Sequence, residues 1–463
     1  MSAQSSVSDQ QKRPAVKSTP TAAGGYLLQF AQTLNDEQHD CLIKEIAGID
    51  FDRITALFAA KDVKDAGLKL ANSAGAPTKL IPTDIATKNP AEFKRAEEAG
   101  WKALREGRVG IILVAGGEGT RLGFPHPKGQ FPIGPVSNKS LFQLLAEQTV
   151  AISQRSRTRI PYYVMTSEAT HVETVAFFEQ HQYFGLDPAD VRFFRQGNMP
   201  AVDQKSGRVL MAATHSVAFS PDGHGGLLEA MSNARIFDDI QDREIEYLFY
   251  HQVDNPLVRV CDPAFIGFHL LNRSDVSTKV VRKEDPNEKV GLLVEVNGRH
   301  HIIEYTDLPP DLAAQRDPTG ELRLRCGNIA VHLFRSDFLK RMAEDEESLP
   351  YHRSSKSVPY VDDLGELVQP AENNAFKFER FIFDILPQAE RPLAMEVVRE
   401  QEFMPLKNRE GLFSPDHVRQ AMCQLHTSWL KQAGWTTADE LPIEIPAAAA
   451  LDAADFLARH HRR

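Results

Sequence analysis

Between Ile112 and Gly134 the chain reads ILVAGGEGTRLGFPHPKGQFPIG: an apolar run, a cluster of glycines, then two cations. Glycines after a strand permit positive φ and remove Cβ atoms, so backbone N–H groups can touch a phosphate. The dinucleotide spacing G-x-G-x-x-G fails, because Leu122 stands where its third glycine belongs. The P-loop fails too, because Lys128 is followed by Gly129 and Gln130 rather than by Ser or Thr. What remains is Gly116-Gly117-x-Gly119-Thr120-Arg121, with Pro127-Lys128-Gly129 beyond it. One guanidinium and one ammonium beside a backbone nest suit a triphosphate in which charge moves.

Those cations need a scaffold. RVGIILVAGG is β-branched and apolar throughout, which suits a strand buried on both faces. Helical spacing in KSLFQLLAEQTVAISQRS precedes strand-like IPYYVMTS, and EATHVETVAFFEQHQYFG is again helical, closed by Gly185. Further on, EIEYLFYHQVDNP reads as a buried strand and DPAFIGFHLLNRS as a helix. This alternation predicts an α/β fold with a parallel sheet, helices on both faces and ligands at the carboxyl ends of its strands. Asp254 closes one of those strands, where a carboxylate can hold a hard cation that bridges phosphates. Taken alone, it is equally an Asp capping a turn before proline.

The expected layout is a disordered tail over residues 1–25, a mostly helical segment over 26–107, an α/β domain over 108–390 and a small C-terminal domain over 391–463. In the α/β part, VNGR marks a hairpin turn within KVGLLVEVNGRHHIIEYTDL. No internal repeat is evident.

The chain has 463 residues, 42% hydrophobic and 25% charged, with a formal net charge of −10. That balance fits a globular protein and argues against a nucleic-acid binder, which normally carries a basic surface. No uncharged apolar run approaches the ~20 residues that span a bilayer, and the first residues lack the apolar segment of a signal peptide. Cys41, Cys261, Cys326 and Cys423 show no paired spacing, so a cytoplasmic protein without disulfides is expected.

LVAGGEGTRLG followed by PKG resembles the UDP-N-acetylglucosamine pyrophosphorylases within the wider UDP-sugar pyrophosphorylase group. RQGNMP, SPDGHGGLLEAM, VDNPLVRVCDPAFIGF, GNIAVHLF, LPYHRSSKSVPYVD, FKFERFIFDILPQA and REQEFMPLKN follow in the same order, from about Trp101 to Asn408. The resemblance implies a Rossmann-like nucleotidyltransferase core with a mixed, mainly parallel sheet, in which UTP and a hexosamine 1-phosphate give a UDP-sugar and pyrophosphate, with Mg²⁺. It assigns Arg121, Lys128 and the late Lys407 to the phosphates, and Gly116, Gly117, Gln196 and Gly223 to the uridine side. Asp254 takes the metal or the ribose phosphate. The sugar would meet Gly291, Glu304 and Asn328, with Phe381 and Phe383 as an aromatic wall. Without the resemblance, Gln196 reads as a surface glutamine and Lys407 as a solvated charge. FERFIFDIL, at period two, reads as a core strand.

One position departs from the pattern. His224 stands in PDGHGG where an Asn is usual, and an imidazole is larger than a carboxamide and titrates near pH 6.5. Glucose 1-phosphate or a broad range of sugar phosphates therefore stays open as substrate. A UDP-sugar-binding regulator without turnover would be expected to lack Arg121, Lys128 or Asp254, and all three are present.

Overall fold

The structure is a computed structural model that describes residues 24–60, 70–345, 347–436 and 441–460. All but the last two residues of the expected N-terminal tail lie outside that range. The chain divides into two compact units.

One unit combines residues 24–60, 199–220 and 353–378. Its helices Asp36–Ala47 and Phe51–Ala59 begin at Asn35 and Asp50, whose side chains accept backbone N–H groups of the first turn. Strands Val202–Asp203 and Ala375–Glu379 pair antiparallel, and Phe376 packs between Phe58 and the Arg353 guanidinium.

The other unit holds a ten-stranded sheet. In chain order its strands are β1 (Leu80–Ile81), β2 (Val109–Val114), β3 (Tyr162–Thr166), β4 (Val191–Arg195) and β5 (Tyr247–Gln252). They continue as β6 (Val276–Arg282), β7 (Leu292–Val296), β8 (Arg299–Ile303), β9 (Cys326–Arg335) and β10 (Pro392–Val397). The order across the sheet is β1-β10-β6-β9-β5-β2-β3-β4, with β7 joining β9 and pairing with β8. Five of the seven pairings along that path are parallel, and β9 runs antiparallel to both its neighbours. A mixed, mainly parallel sheet is what the sequence predicts.

Core sits on both faces. Ile111 and Leu113 of β2 enter one apolar cluster and Ile112 the other, which is why this strand is apolar without alternation. Helix Leu141–Ser156 is capped by Ser140, and helix Pro90–Arg105 by Asn89 with Pro90 in its first turn. Helix Pro90–Arg105 crosses helix Pro263–Leu271 at two glycines. A Cβ on Gly267 would lie 1.6 Å from the Ala96 carbonyl oxygen, and one on Gly100 would lie 1.8 Å from that of Pro263. The β7–β8 hairpin turns at Asn297 and Gly298, both at positive φ, as VNGR predicts.

Two expectations are corrected. The helix after β3 ends at Gln180, because Gln182, Tyr183 and Phe184 all take positive φ and break the α-helical path before Gly185. FERFIFDIL is not one strand. Strand Ala375–Glu379 stops there, and Ile382–Gln388 winds as a 3₁₀ turn that buries Ile382, Phe383, Ile385 and Leu386 together.

Candidate active site

β2 is parallel to β3 on one side and to β5 on the other, so the chain reverses its direction of travel across the sheet at β2. Such a switch point opens a crevice at the carboxyl ends of the strands. Gly116 and Gly117 follow β2, Asp254 follows β5 and Gln196 follows β4. Gln196 is buried and its N–H donates to Thr166 at the end of β3, at 2.9 Å. Its side-chain oxygen would lie 3.2 Å from a Cβ on Gly116, so glycine there leaves the amide room beside the loop.

The loop then folds back on itself. Gly119 donates to the His126 carbonyl at 2.9 Å, and Lys128 N–H donates to that of Gly117 at 3.0 Å. That return brings Lys128 Nζ within 3.9 Å of Asp254 Oδ2, with both side chains mostly buried. The separation is too long for a hydrogen bond, so the ammonium and the carboxylate both keep their capacity for a ligand. Arg121 is exposed on the turn Thr120–Leu122, whose Leu122 is buried, and makes no ion pair among the described residues. Beside that turn, Arg409 Nη1 would lie 3.8 Å from a Cβ on Gly123. It is a further cation that the sequence analysis passed over.

Asp254 is also tied to the far end of the chain. Its carbonyl accepts the Leu406 N–H at 2.7 Å, and Lys407, the next residue, is exposed. Lys407 N–H donates to Phe413 at 2.9 Å, which closes its loop. The Lys407 charge reaches Glu304: burial raises the Glu304 carboxyl above its usual range, Asp307 adds to the rise, and Lys407 opposes it.

Glu304 belongs to a second group. A Cβ on Gly291 would lie 2.9 Å from Glu304 Oε1, and the Gly291 carbonyl accepts the Asn328 N–H at 2.8 Å. Asn328 Oδ1 accepts the Ala330 N–H at 3.1 Å, which orients its amide. The Gly291 backbone, Glu304 and Asn328 thus meet at one place.

The third group surrounds His224. Gly223 takes φ +83°, and a Cβ on it would lie 2.5 Å from the Arg380 carbonyl oxygen. Only glycine permits both. The segment 380–382 lies across this turn: Gly225 N–H donates to Arg380 at 2.8 Å, and Ile382 N–H donates to His224 Nδ1 at 3.2 Å. Nδ1 therefore accepts and Nε2 carries the proton, a donor poised beside Phe381 and Phe383, whose centroids lie 5.4 and 5.3 Å from the imidazole. The expectation that His224 titrates near its ordinary value is corrected. Burial, with a smaller push from the charge of His352, lowers it to about 4, so this imidazole is neutral at pH 7.

Four polar residues escaped the sequence analysis although each lies inside a quoted motif. His352 packs on Phe381 at 4.7 Å and bonds through Nε2 to Asp384 at 2.7 Å. Burial alone would lower its pKa, but the Asp384 hydrogen bond and the charges of Asp384, Asp307 and Glu304 raise it. Buried Asp222 pairs with Arg380 at 2.5 Å, and its other oxygen has no hydrogen-bond partner among the described residues. Burial lifts the Asp222 carboxyl against the pull of Arg380. These partners lie 32 and 158 residues apart, a separation across which spacing carries no signal.

Residues 77–443 match the family model described as UTP–glucose-1-phosphate uridylyltransferase. The chain belongs to the UDP-sugar pyrophosphorylase family. Within that family it is 38% identical over 397 residues to UDP-N-acetylglucosamine pyrophosphorylase of Saccharomyces cerevisiae, covering 83% of this chain and 82% of the yeast protein. It is 41% identical over 355 residues to human UDP-N-acetylhexosamine pyrophosphorylase-like protein 1, covering 75% and 70%. Its fold is similar to that of the uridine diphosphate N-acetylglucosamine pyrophosphorylase of Trypanosoma brucei, solved with an inhibitor. That likeness has a TM-score of 0.80 at 26% identity, over 94% of this chain and 92% of the other.

Nucleotidyltransferases of this kind generally use a divalent metal. Among the described residues no cluster of three or more His, Cys, Asp or Glu could hold one unaided. The Asp254 carboxylate, with Lys128 Nζ 3.9 Å away, offers the hard oxygen donors that such a cation prefers. None of the described helices is long and apolar enough to cross a membrane.

Proposed function

We propose that this protein transfers a uridylyl group from UTP to N-acetylglucosamine 1-phosphate, forming UDP-N-acetylglucosamine and pyrophosphate. The observation that carries this is the meeting of Lys128, Asp254 and the Leu406–Lys407 segment at the ends of β2 and β5. A sugar phosphate oxygen attacks the α-phosphorus of UTP and pyrophosphate departs from the opposite side. No covalent nucleophile from the protein is needed, so alignment and charge neutralisation do most of the work.

In this reading Lys128 and Arg121 hold the triphosphate and the charge that develops on pyrophosphate, and Lys407 reaches the phosphates from the other side. Gln196 reads the uracil edge, with Gly116, Gly117 and Gly223 allowing close approach of base and ribose. Gly291, Glu304 and Asn328 meet the hexose and its acyl amide, and Phe381, Phe383 and His224 wall the N-acetyl group. Asp254 would hold Mg²⁺, which when bound neutralises phosphate charge. The four free cysteines suit a cytoplasmic setting.

Glucose 1-phosphate is the second reading, favoured by the neutral Nε2–H donor of His224 at the sugar wall. The test is pyrophosphate release from UTP with N-acetylglucosamine, N-acetylgalactosamine, glucose and galactose 1-phosphates in parallel. Turnover with N-acetylglucosamine 1-phosphate is the expected result, and His224→Asn should change the preference over glucose 1-phosphate by about 10-fold. Release with glucose 1-phosphate alone would reject the hexosamine assignment.

A further inference from the structure

Lys279 stands in the middle of β6 with no exposed surface, where the register with β9 shifts between Lys279 and Val280. Its Nζ donates to Asp262 Oδ2 at 2.7 Å and to Glu402 Oε2 at 2.5 Å, and lies 5.3 Å from the Phe265 ring centroid. A buried group of charges is generally no more stabilising than apolar residues of the same volume. Stability alone therefore gives this lysine little reason to be here.

Its two partners offer another. Asp262 ends the segment that begins at Asp254, and its Oδ1 accepts the Ala264 N–H at 3.1 Å, which fixes it at the start of helix Pro263–Leu271. Glu402 begins the segment that ends at Lys407. The two segments are stitched directly as well: Asn255 Nδ2 donates to the Glu402 carbonyl at 2.7 Å, and Asn255 Oδ1 accepts the Met404 N–H at 3.0 Å. The stitching ends where Leu406 N–H meets the Asp254 carbonyl.

We infer that Lys279 is a positioning residue: one buried ammonium clamps the Asp254–Asp262 segment to the Glu402–Lys407 segment, and so sets where the Lys407 ammonium meets the phosphates. It touches no substrate and acts through Glu402 and the backbone beyond it. The inference rests on the role proposed for Lys407 and is tested so that the two can fail separately.

Lys279→Met/Glu402→Gln removes one charge of each sign and leaves Asp262 beside Arg259, at 3.7 Å. For the folded enzyme, with UTP, N-acetylglucosamine 1-phosphate and Mg²⁺, the expected result is a kcat about 10- to 100-fold lower. Affinity for UDP, measured by calorimetry, should stay within about twofold of wild type, because none of the residues assigned to the uridine, Gly116, Gly117, Gln196 and Gly223, belongs to the two clamped segments. In a Lys407→Ala background the same pair of changes should cost nothing further.

Wild-type kcat in the folded double variant, or losses that multiply with Lys407→Ala, would overturn the inference. Should the double variant not fold, Glu402→Gln keeps the Lys279–Asp262 pair and must still lower kcat several-fold with UDP affinity unchanged; an unchanged kcat overturns the clamp. Wild-type turnover by Lys407→Ala alone would remove the proposed role of Lys407, and the clamp with it.

Discussion

At the scale of single residues, Lys128 and Asp254 face each other without a hydrogen bond, whereas Asp222 is bonded to Arg380 and His352 to Asp384. Lys128 and Asp254 are close enough to feel one another's charge and too far apart to share a proton. Lys128→Ala should lower kcat by about 10²–10³, the usual loss when one preorganised electrostatic donor is removed. The circular dichroism and melting temperature should remain those of wild type, because Lys128 Nζ lies 3.9 Å from Asp254 Oδ2, beyond hydrogen-bonding distance. Turnover at the wild-type rate in a folded Lys128→Ala protein would remove this lysine from the mechanism. The glycine loop was legible because its chemistry is local: strand, bare backbone and two cations within a short run. Asp222, Arg380, His352 and Asp384 were not legible, because each matters through a partner that only the fold brings near. The neutrality of His224 was hidden for a related reason. A residue type fixes the ordinary pKa, and burial fixes the actual one.

Among the elements, parallel strands deliver the ends of β2, β3, β4 and β5 to one edge, so a loop, an amide and a carboxylate converge without any long-range signal in the sequence. Periodicity revealed β2 because it is buried and apolar along its length, and β5 because its buried middle, Leu248, Phe249 and Tyr250, is apolar or aromatic. It misled at FERFIFDIL, where alternating phenylalanine and isoleucine lie in a 3₁₀ turn that contains Pro387, a residue unable to donate to a strand ladder. It also ran past Gln180, since nothing in residue type announces three successive positive φ values. Contact between helices Pro90–Arg105 and Pro263–Leu271 gives a test at this scale. Gly267→Ala drives a methyl group into the backbone of Ala96, so stability should fall by about 1–3 kcal/mol or more. A urea midpoint equal to wild type would show that the two helices are not held this closely.

For the molecule as a whole, burial keeps many histidines of an acidic chain uncharged. Burial lowers His224, His251, His300 and His426 to about 4, and His269 and His332 to about 3. In the unfolded chain these residues take up protons near pH 6.5, while the folded chain resists until far lower pH. Stability should therefore be complete above about pH 6.5 and fall steeply toward pH 4, each histidine costing up to about 1.4 kcal/mol for every pH unit below its unfolded value. Urea midpoints measured across that range check the sign, and a flat profile would contradict it. His352 runs the other way: its raised pKa contributes stability below about pH 6.5 that is lost as the pH rises past its folded value. One structure tests the central claim most directly, that of the protein crystallised with a non-hydrolysable UTP analogue. The triphosphate should lie along the Gly116–Lys128 loop with an oxygen in hydrogen-bonding reach of Lys128 Nζ, and phosphates bound away from that loop would contradict the account.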